Sequence, residues 1–334
     1  MWRYVGRRIV MLIVQVWALT SLVFVLVQVL PGDPLYLLVD QTASSEQIEQ
    51  TRHYLGLERP LSERYIQYYA NLLHGDLGTS FFSAAPVTVE LGRRFPATFE
   101  LVFYALLFSI LIGATLGSLA AFKPAGWVEK TTFYYGMLAG ALPEFWWGLV
   151  LIVIMFDRLG IAAAPLGRLD IAIGEPTSIT GMFTVDSLLT GNWVALRSSA
   201  AHLFLPVLTL VVLQTASVLK VTRFQMQSAM QSGFVQYARA CGLPGITVLR
   251  YAFRNALPPI VTHWAIIWAY LMGIAVLVEA LFSWGGIGQY VVQAVVTADF
   301  VATTGAVLVL TVWSLVIYLA LDVLLAVIDP RVRY

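Results

Sequence analysis

Charge is scarce in this chain of 334 residues. Only 12% of them are Asp, Glu, Lys or Arg, 59% are hydrophobic, and mean hydropathy is +0.79. A soluble domain carries about twice that charged fraction, so the composition points to a polytopic membrane protein. Net charge is +1, with no basic excess of the kind that nucleic acid calls for. A single cysteine, Cys241, excludes an internal disulfide framework and has no evident catalytic partner in the sequence. No GxxxxGK[ST] loop occurs, so ATP binding by this chain is not expected. Gly285-Gly286-Ile287-Gly288 is glycine-rich, but without a following lysine it reads as a turn. His53, His74, His202 and His263 lack zinc-ligand spacing. Enzyme chemistry, a metal and a bound cofactor are therefore not expected.

What the chain has in abundance is apolar runs of membrane length. Six are long enough to cross roughly 30 Å of hydrocarbon as helices: Ile9–Leu30, Ala97–Phe122, Thr132–Phe156, Leu203–Val221, Ile260–Phe282 and Thr304–Ile328. Backbone groups in lipid must be paired within the segment, and the alternation of a barrel strand is absent. The expected fold class is an all-α polytopic membrane protein with six transmembrane helices. The N-terminal run resembles a signal peptide in charge, yet its 22 apolar residues exceed a cleaved core and no Ala-x-Ala site closes it. It reads as a retained first span.

Basic residues set the orientation. Arg3, Arg7 and Arg8 precede span one, Lys123 and Lys130 lie between spans two and three, and Arg331 and Arg333 follow span six. Lys220–Pro259 contains five basic residues and no acidic one. With six spans all these regions share one side, so both termini are expected in the cytoplasm. The opposite side holds Pro31–Pro96, with eight acidic and five basic residues, and Asp157–His202, with four and three. Within the first of these, Ser45–Leu57 and Leu61–Leu73 suggest short helices. Leu61, Tyr65, Tyr68/Tyr69 and Leu72 recur at helical spacing, suited either to packing on the bundle or to docking a soluble substrate carrier.

The basic inner loop, about residues 223–259, has a shape of its own. Met226, Met230, Phe234, Tyr237/Ala238 and Cys241 form a helical stripe, Gly242-Leu243-Pro244-Gly245 interrupts it, and Leu249, Ala252/Phe253 and Ala256/Leu257 form a second. Pro258-Pro259 is expected to end that second helix before span five. Helix–turn–helix is more than a solvated connector requires, and favours a docking element.

The stretch YARACGLPGITVLRYAFRNALPP resembles the cytoplasmic loop signature of binding-protein-dependent ABC importer permeases, most closely the first permease type of the dipeptide/oligopeptide family. The likeness continues through LPGDP (Leu30–Pro34), YLGLERPLSERY (Tyr54–Tyr65), HGDLGTS (His74–Ser80), FPATFEL (Phe95–Leu101), LPEFWWG (Leu142–Gly148), HLFLPVLTL (His202–Leu210), EALFSWGGIGQ (Glu279–Gln289) and DPR (Asp329–Arg331). It departs at Cys241, Tyr251 and Gly285, where the family usually has lysine, often histidine, and usually proline.

The resemblance implies a bundle of the type I importer kind in a bacterial inner membrane. It divides the chain into 1–96, a first helix with a long periplasmic segment, and 97–334, a five-helix permease core. The implied partners are a second, homologous permease, two ATPase subunits or domains that use the ATP, an extracytoplasmic substrate-binding protein, and membrane lipid. The ATPase-coupling residues it implies are Tyr237, Ala238, Arg239, Ala240, Gly242, Leu243, Arg250, Arg254 and Asn255. Dipeptides or short oligopeptides are the implied cargo, with nickel chelates or opine-like solutes as alternatives. Gln214, Glu279 and Asp322 are polar groups in spans four to six, placed there either for structure or along a translocation path. A proton-coupled secondary transporter, the rival class, would need Glu279 or Asp322 to carry the coupling charge, and leaves the shaped basic loop without a task. A membrane scaffold without transport is a further alternative.

Overall fold

The computed structural model describes residues 2–29, 58–122 and 126–328. The expected helix at Ser45–Leu57, the LPGDP and DPR segments, Lys123, Arg331 and Arg333 lie outside them. Among the described residues the helices in order are α1 (Trp2–Val29), α2 (Leu61–Leu73), α3 (Val87–Phe122), α4 (Trp127–Ala139), α5 (Glu144–Leu151), α6 (Phe183–Thr190), α7 (Trp193–Met230), α8 (Gly233–Ala240), α9 (Gly245–Phe282), α10 (Ile287–Val296) and α11 (Phe300–Ile328). A π-helical turn, Ile152–Arg158, extends α5.

Among the described residues, five stretches have the length and apolarity to cross a membrane unaided: Gly6–Val25, Val87–Phe122, Trp193–Met230, Gly245–Phe282 and Phe300–Leu324. The sixth crossing departs from the straight helix expected over Thr132–Phe156. It is the pair α4 and α5, bent by 99°. The break is Gly140-Ala141-Leu142-Pro143, and the Trp147 indole N–H donates to the Ala139 carbonyl at 3.0 Å, pairing an acceptor that the break frees. At one end of this pair Glu129 meets Arg223 near the C-terminal end of α7; beyond the other, the Gly167 N–H bonds the carbonyl of Phe282, last residue of α9. The bent pair thus joins the two ends of the bundle and counts as one crossing.

α7 is the central helix. It packs along α3 through Gly113 and Gly117, where an added Cβ would lie 2.7 Å from Val218 Cβ and 2.8 Å from the Leu219 carbonyl. Such contact is open only to small residues and gains dispersion energy that lipid cannot supply. Leu101, Ala105, Leu210, Leu271 and Ala275 form the apolar centre between α3, α7 and α9.

Proline does not stop these helices where the sequence suggests. α9 runs unbroken through Pro258 and Pro259, α3 through Pro96 and α7 through Pro206. Packing against neighbouring helices outweighs the local loss of hydrogen bonds. α3 also crosses residues 96–97 without a break, so a division of the chain there is not a structural hinge.

α1 lies at the margin, where Val10, Ile13, Val14, Trp17 and Leu22 are exposed. Lipid is the surrounding that such a surface calls for. The expected helix Leu61–Leu73 forms, and its tyrosine face meets α1. The Tyr69 hydroxyl donates to the Trp17 carbonyl at 2.9 Å, Tyr65 bonds Ser21 at 2.7 Å, and Phe24 contacts the Tyr65 and Tyr68 rings.

Candidate functional site

The basic connection folds as a capped helical handle. α7 ends at Met230, and Ser232 turns the chain through extended backbone into α8. The stripe read as one helix from Met226 to Cys241 is therefore divided between α7 and α8. Val235 and Ala238 of α8 are buried with Met226, Met230, Val248, Ala252 and Ala256. Cys241 points outward instead of joining them.

Gly242 then adopts φ +74°, in the left-handed region. Its N–H bonds the Arg239 carbonyl at 2.9 Å, and the Leu243 N–H reaches back to the Ala238 carbonyl at 3.2 Å. These two bonds are those of a Schellman cap, which needs a left-handed residue and so favours glycine. Pro244 restarts the chain as the N-cap of α9. Gly245 abuts Phe122, the last residue of α3, where an added Cβ would stand 3.1 Å from the ring.

Eight of the nine anticipated coupling residues are solvent-exposed: Tyr237, Arg239, Ala240, Gly242, Leu243, Arg250, Arg254 and Asn255. Ala238 faces inward and serves as packing. Phe234, Tyr237, Leu243 and Ile246 are exposed apolar side chains on the same handle, Ile246 at 73%. Apolar side chains among cations suit an acidic-rimmed protein cleft.

The anticipated membrane polar groups do not converge. Gln214 is buried, and its amide donates to Glu144 Oε1 at 3.2 Å. Asp322 pairs with Arg8 at 3.2 Å, tying α11 to α1 near the basic end. Glu279 is fully buried near the opposite end, where Oε2 accepts the Gln289 N–H at 3.1 Å. Gly286 and Gly288 let the turn close on that carboxylate, since a Cβ at either would collide with Glu279 Oε2. The Thr98 hydroxyl accepts the Ile287 N–H at 2.8 Å in the same knot.

Several buried charges escaped the sequence reading. Arg168 Nη2 donates to Glu100 Oε2 at 2.6 Å and to the Gly181 carbonyl at 3.0 Å, with its guanidinium 3.7 Å from the Phe183 ring centroid. Glu100 Oε1 accepts the Thr184 N–H and hydroxyl at 2.8 and 2.5 Å. Asp186 accepts from Ile179, Thr180 and Gly181, folding residues 179–186 back on themselves. Burial raises its pKa, but those donors together outweigh burial and hold the carboxyl below its ordinary value. Asp299 caps α11 at the Ala302 N–H and accepts from Ser80, anchoring the segment before α3. Glu144 carried a visible signal, a carboxylate midway along the expected third span; the loop pairings of Arg168 and Asp186 carried none.

Two family models match the chain. The binding-protein-dependent transport system inner membrane component covers residues 113–334, and the N-terminal part of that membrane component covers 1–102. The chain belongs to this family. As a permease of that kind it is a non-catalytic, multi-pass membrane subunit with the all-α type I importer bundle. Among its relatives is "Probable D,D-dipeptide transport system permease protein DdpB" of Escherichia coli K12, 37% identical over 332 residues, covering 99% of this chain and 97% of that protein. The dipeptide transport system permease protein DppB of Haemophilus influenzae is 36% identical over 336 residues, with 100% of both chains covered. The glutathione transport system permease protein GsiC of Pectobacterium atrosepticum is 30% identical over 335 residues, again with 100% of both covered.

Proposed function

We propose that this permease is one of two homologous membrane subunits of an ATP-driven importer of dipeptides or short oligopeptides. One of two ATPase subunits grips the handle of α8 and the start of α9 from the cytoplasm, and a substrate-binding protein delivers cargo to the opposite face. The observation that carries the reading is the handle itself: exposed, capped at Gly242, rich in cations, and present in a chain with no phosphate-binding loop of its own. A two-state bundle shifts only when something binds its states with different affinity, so the driving ligand belongs to the partners.

The handle transmits force because its core is shared. Val235 and Ala238 pack with the last turns of α7 and the first turns of α9, the two longest helices described. Arg223 of α7 also pairs with Glu129 of α4, so ATPase closure bears on three crossings at once. In this reading Tyr237, Arg239, Ala240, Gly242, Leu243, Arg250, Arg254 and Asn255 form the coupling contact and both termini are cytoplasmic. Residues 1–96 contribute the first helix and the periplasmic segment for reception and anchorage, and 97–334 contribute the five-helix permease core. The peptide cargo rests on full-length relatives named as dipeptide permeases. Asp322 pairs with Arg8 and Glu279 accepts the Gln289 N–H, contacts that give both carboxylates structural roles and favour the ATP-driven reading over a proton-coupled one.

The test is uptake of a labelled dipeptide into proteoliposomes holding the complex purified with its partners. ATP-dependent uptake that also needs the binding protein is expected. Uptake driven by a proton gradient in the absence of ATPase subunits would overturn the reading.

A further inference from the structure

Among the described residues, five acidic side chains are almost fully buried: Glu100, Glu144, Asp186, Glu279 and Asp299. Four are supplied with charge or backbone donors. Glu100 has Arg168, Asp186 has three backbone N–H groups, Asp299 has the N–H groups of Phe82 and Ala302, and Glu279 has the Gln289 N–H. Glu144 is different. Among the described residues no cation and no backbone N–H bonds its carboxylate. Its carboxylate accepts one hydrogen bond, from the side-chain amide of Gln214 at 3.2 Å, and the Tyr270 phenol lies beside it.

Its position is also distinct. Glu144 opens α5 just after the 99° bend. α4 has 13 residues, which span about 20 Å at the helical rise. That is less than the roughly 30 Å of hydrocarbon, so the bend and the carboxylate lie inside the membrane. Gln214 sits near the middle of the 38-residue α7. Broken helices at this depth are where transport proteins place solute sites, and an intramembrane carboxylate without a cation marks such a site.

The cluster opens to one side. Tyr270 is 49% exposed, on a stripe of α9 where Gly273 and Leu277 are also exposed among the described residues. Glu144, Gln214 and Tyr270 come from three helices. They bring together a carboxylate, an amide oxygen and a phenol oxygen, all able to accept a proton donor. An ammonium offers three donors and one positive charge, which supplies both what the buried carboxylate lacks and what the two neutral oxygens can share.

The geometry points to Glu144, Gln214 and Tyr270 as a membrane-embedded subsite for the ammonium group of a transported solute. This rests on the peptide-import reading above. The ammonium belongs either to a peptide's amino terminus or to a lysine side chain, and one experiment separates the two. The full complex is reconstituted with its ATPases and binding protein, and ATP-dependent uptake of radiolabelled Ala-Ala and Lys-Ala is measured with the binding protein saturated by each.

Glu144→Gln keeps an oxygen that accepts from Gln214 and removes the charge. It should slow transport by about tenfold, a loss equivalent to about 1.4 kcal/mol. Slowing of both peptides identifies the amino terminus as the bound group, and slowing of Lys-Ala alone identifies the side chain. The exchange E144Q/Q214E returns the carboxylate to the same hydrogen bond from the other helix, and should restore most of the lost rate, which a packing role would not. If E144Q does not assemble with its partners, Y270F carries the test with the same expected direction. Variants that move both peptides at the wild-type rate, or an exchange no faster than E144Q, overturn the subsite alone. A wild-type complex that moves neither peptide overturns the import reading and the subsite with it.

Discussion

Arg168 and Glu100 meet at 2.6 Å across 68 residues of sequence, and both are almost fully buried. The pair fastens the segment between α5 and α6 to the side of α3. Removing one partner strands the other as a buried charge, at a cost of about 3–5 kcal/mol. Arg168→Met is expected to lower the thermal midpoint of the purified complex. Arg168→Met combined with Glu100→Gln should recover much of that loss, because neither charge is then stranded. Midpoints of the two single variants and the double variant, taken as a cycle, measure the coupling. Additive losses would show that the two side chains act independently.

Gly242 separates backbone strain from crowding. Nothing lies within 4 Å of a Cβ placed there, yet its φ is +74°. A side chain therefore costs conformation alone, about 1–2 kcal/mol for a non-glycine residue in this region. Gly242→Asn should be tolerated best, Gly242→Ala less well and Gly242→Val worst. The ratio of peptide imported to ATP hydrolysed is the measurement, and it should fall in that order while membrane insertion persists. A Val variant with the wild-type ratio would remove the cap from the coupling mechanism.

Acid should loosen the segment before α6. The Asp186 carboxyl is held below its ordinary pKa, so the stability it lends is present at neutral pH. That stability is lost as pH falls below the ordinary aspartate range and through the depressed value. Hydrogen-exchange protection of the Ile179, Thr180 and Gly181 amides, measured relative to the intrinsic rate at each pH, should fall on acidification. Asp186→Asn should already show low protection at neutral pH and little further change. High protection in that variant would mean that the bonds from Thr180 and its neighbours are dispensable.

Much of this protein is written along the chain. Hydrophobic length announced the crossings, because a helix in lipid must satisfy its own backbone. The run Gly242–Gly245 announced the handle, because glycine and proline restrict backbone conformation locally. Gly113 and Gly117, four residues apart, allow the close contact that α3 and α7 make. Leu61–Leu73 announced its helix through about three turns of apolar spacing, though not the hydroxyl contacts of Tyr65 and Tyr69 with α1.

Other features depend on groups brought together from afar. Local rules ended a helix at Pro258, but neighbouring helices carry α9 through it; they also drew a straight third span, which Gly140–Pro143 bends. The sequence by itself determined that the chain is a bundle of membrane helices with one basic, helical handle, since periodicity, charge and turn chemistry act over a few residues. Only the tertiary structure decided which buried charges are satisfied. Arg168 found Glu100, and Asp299 found Ser80, while Glu144 was left with the amide of Gln214. Electrostatic pairing acts through space, and proximity across tens of residues exists only after the helices have packed.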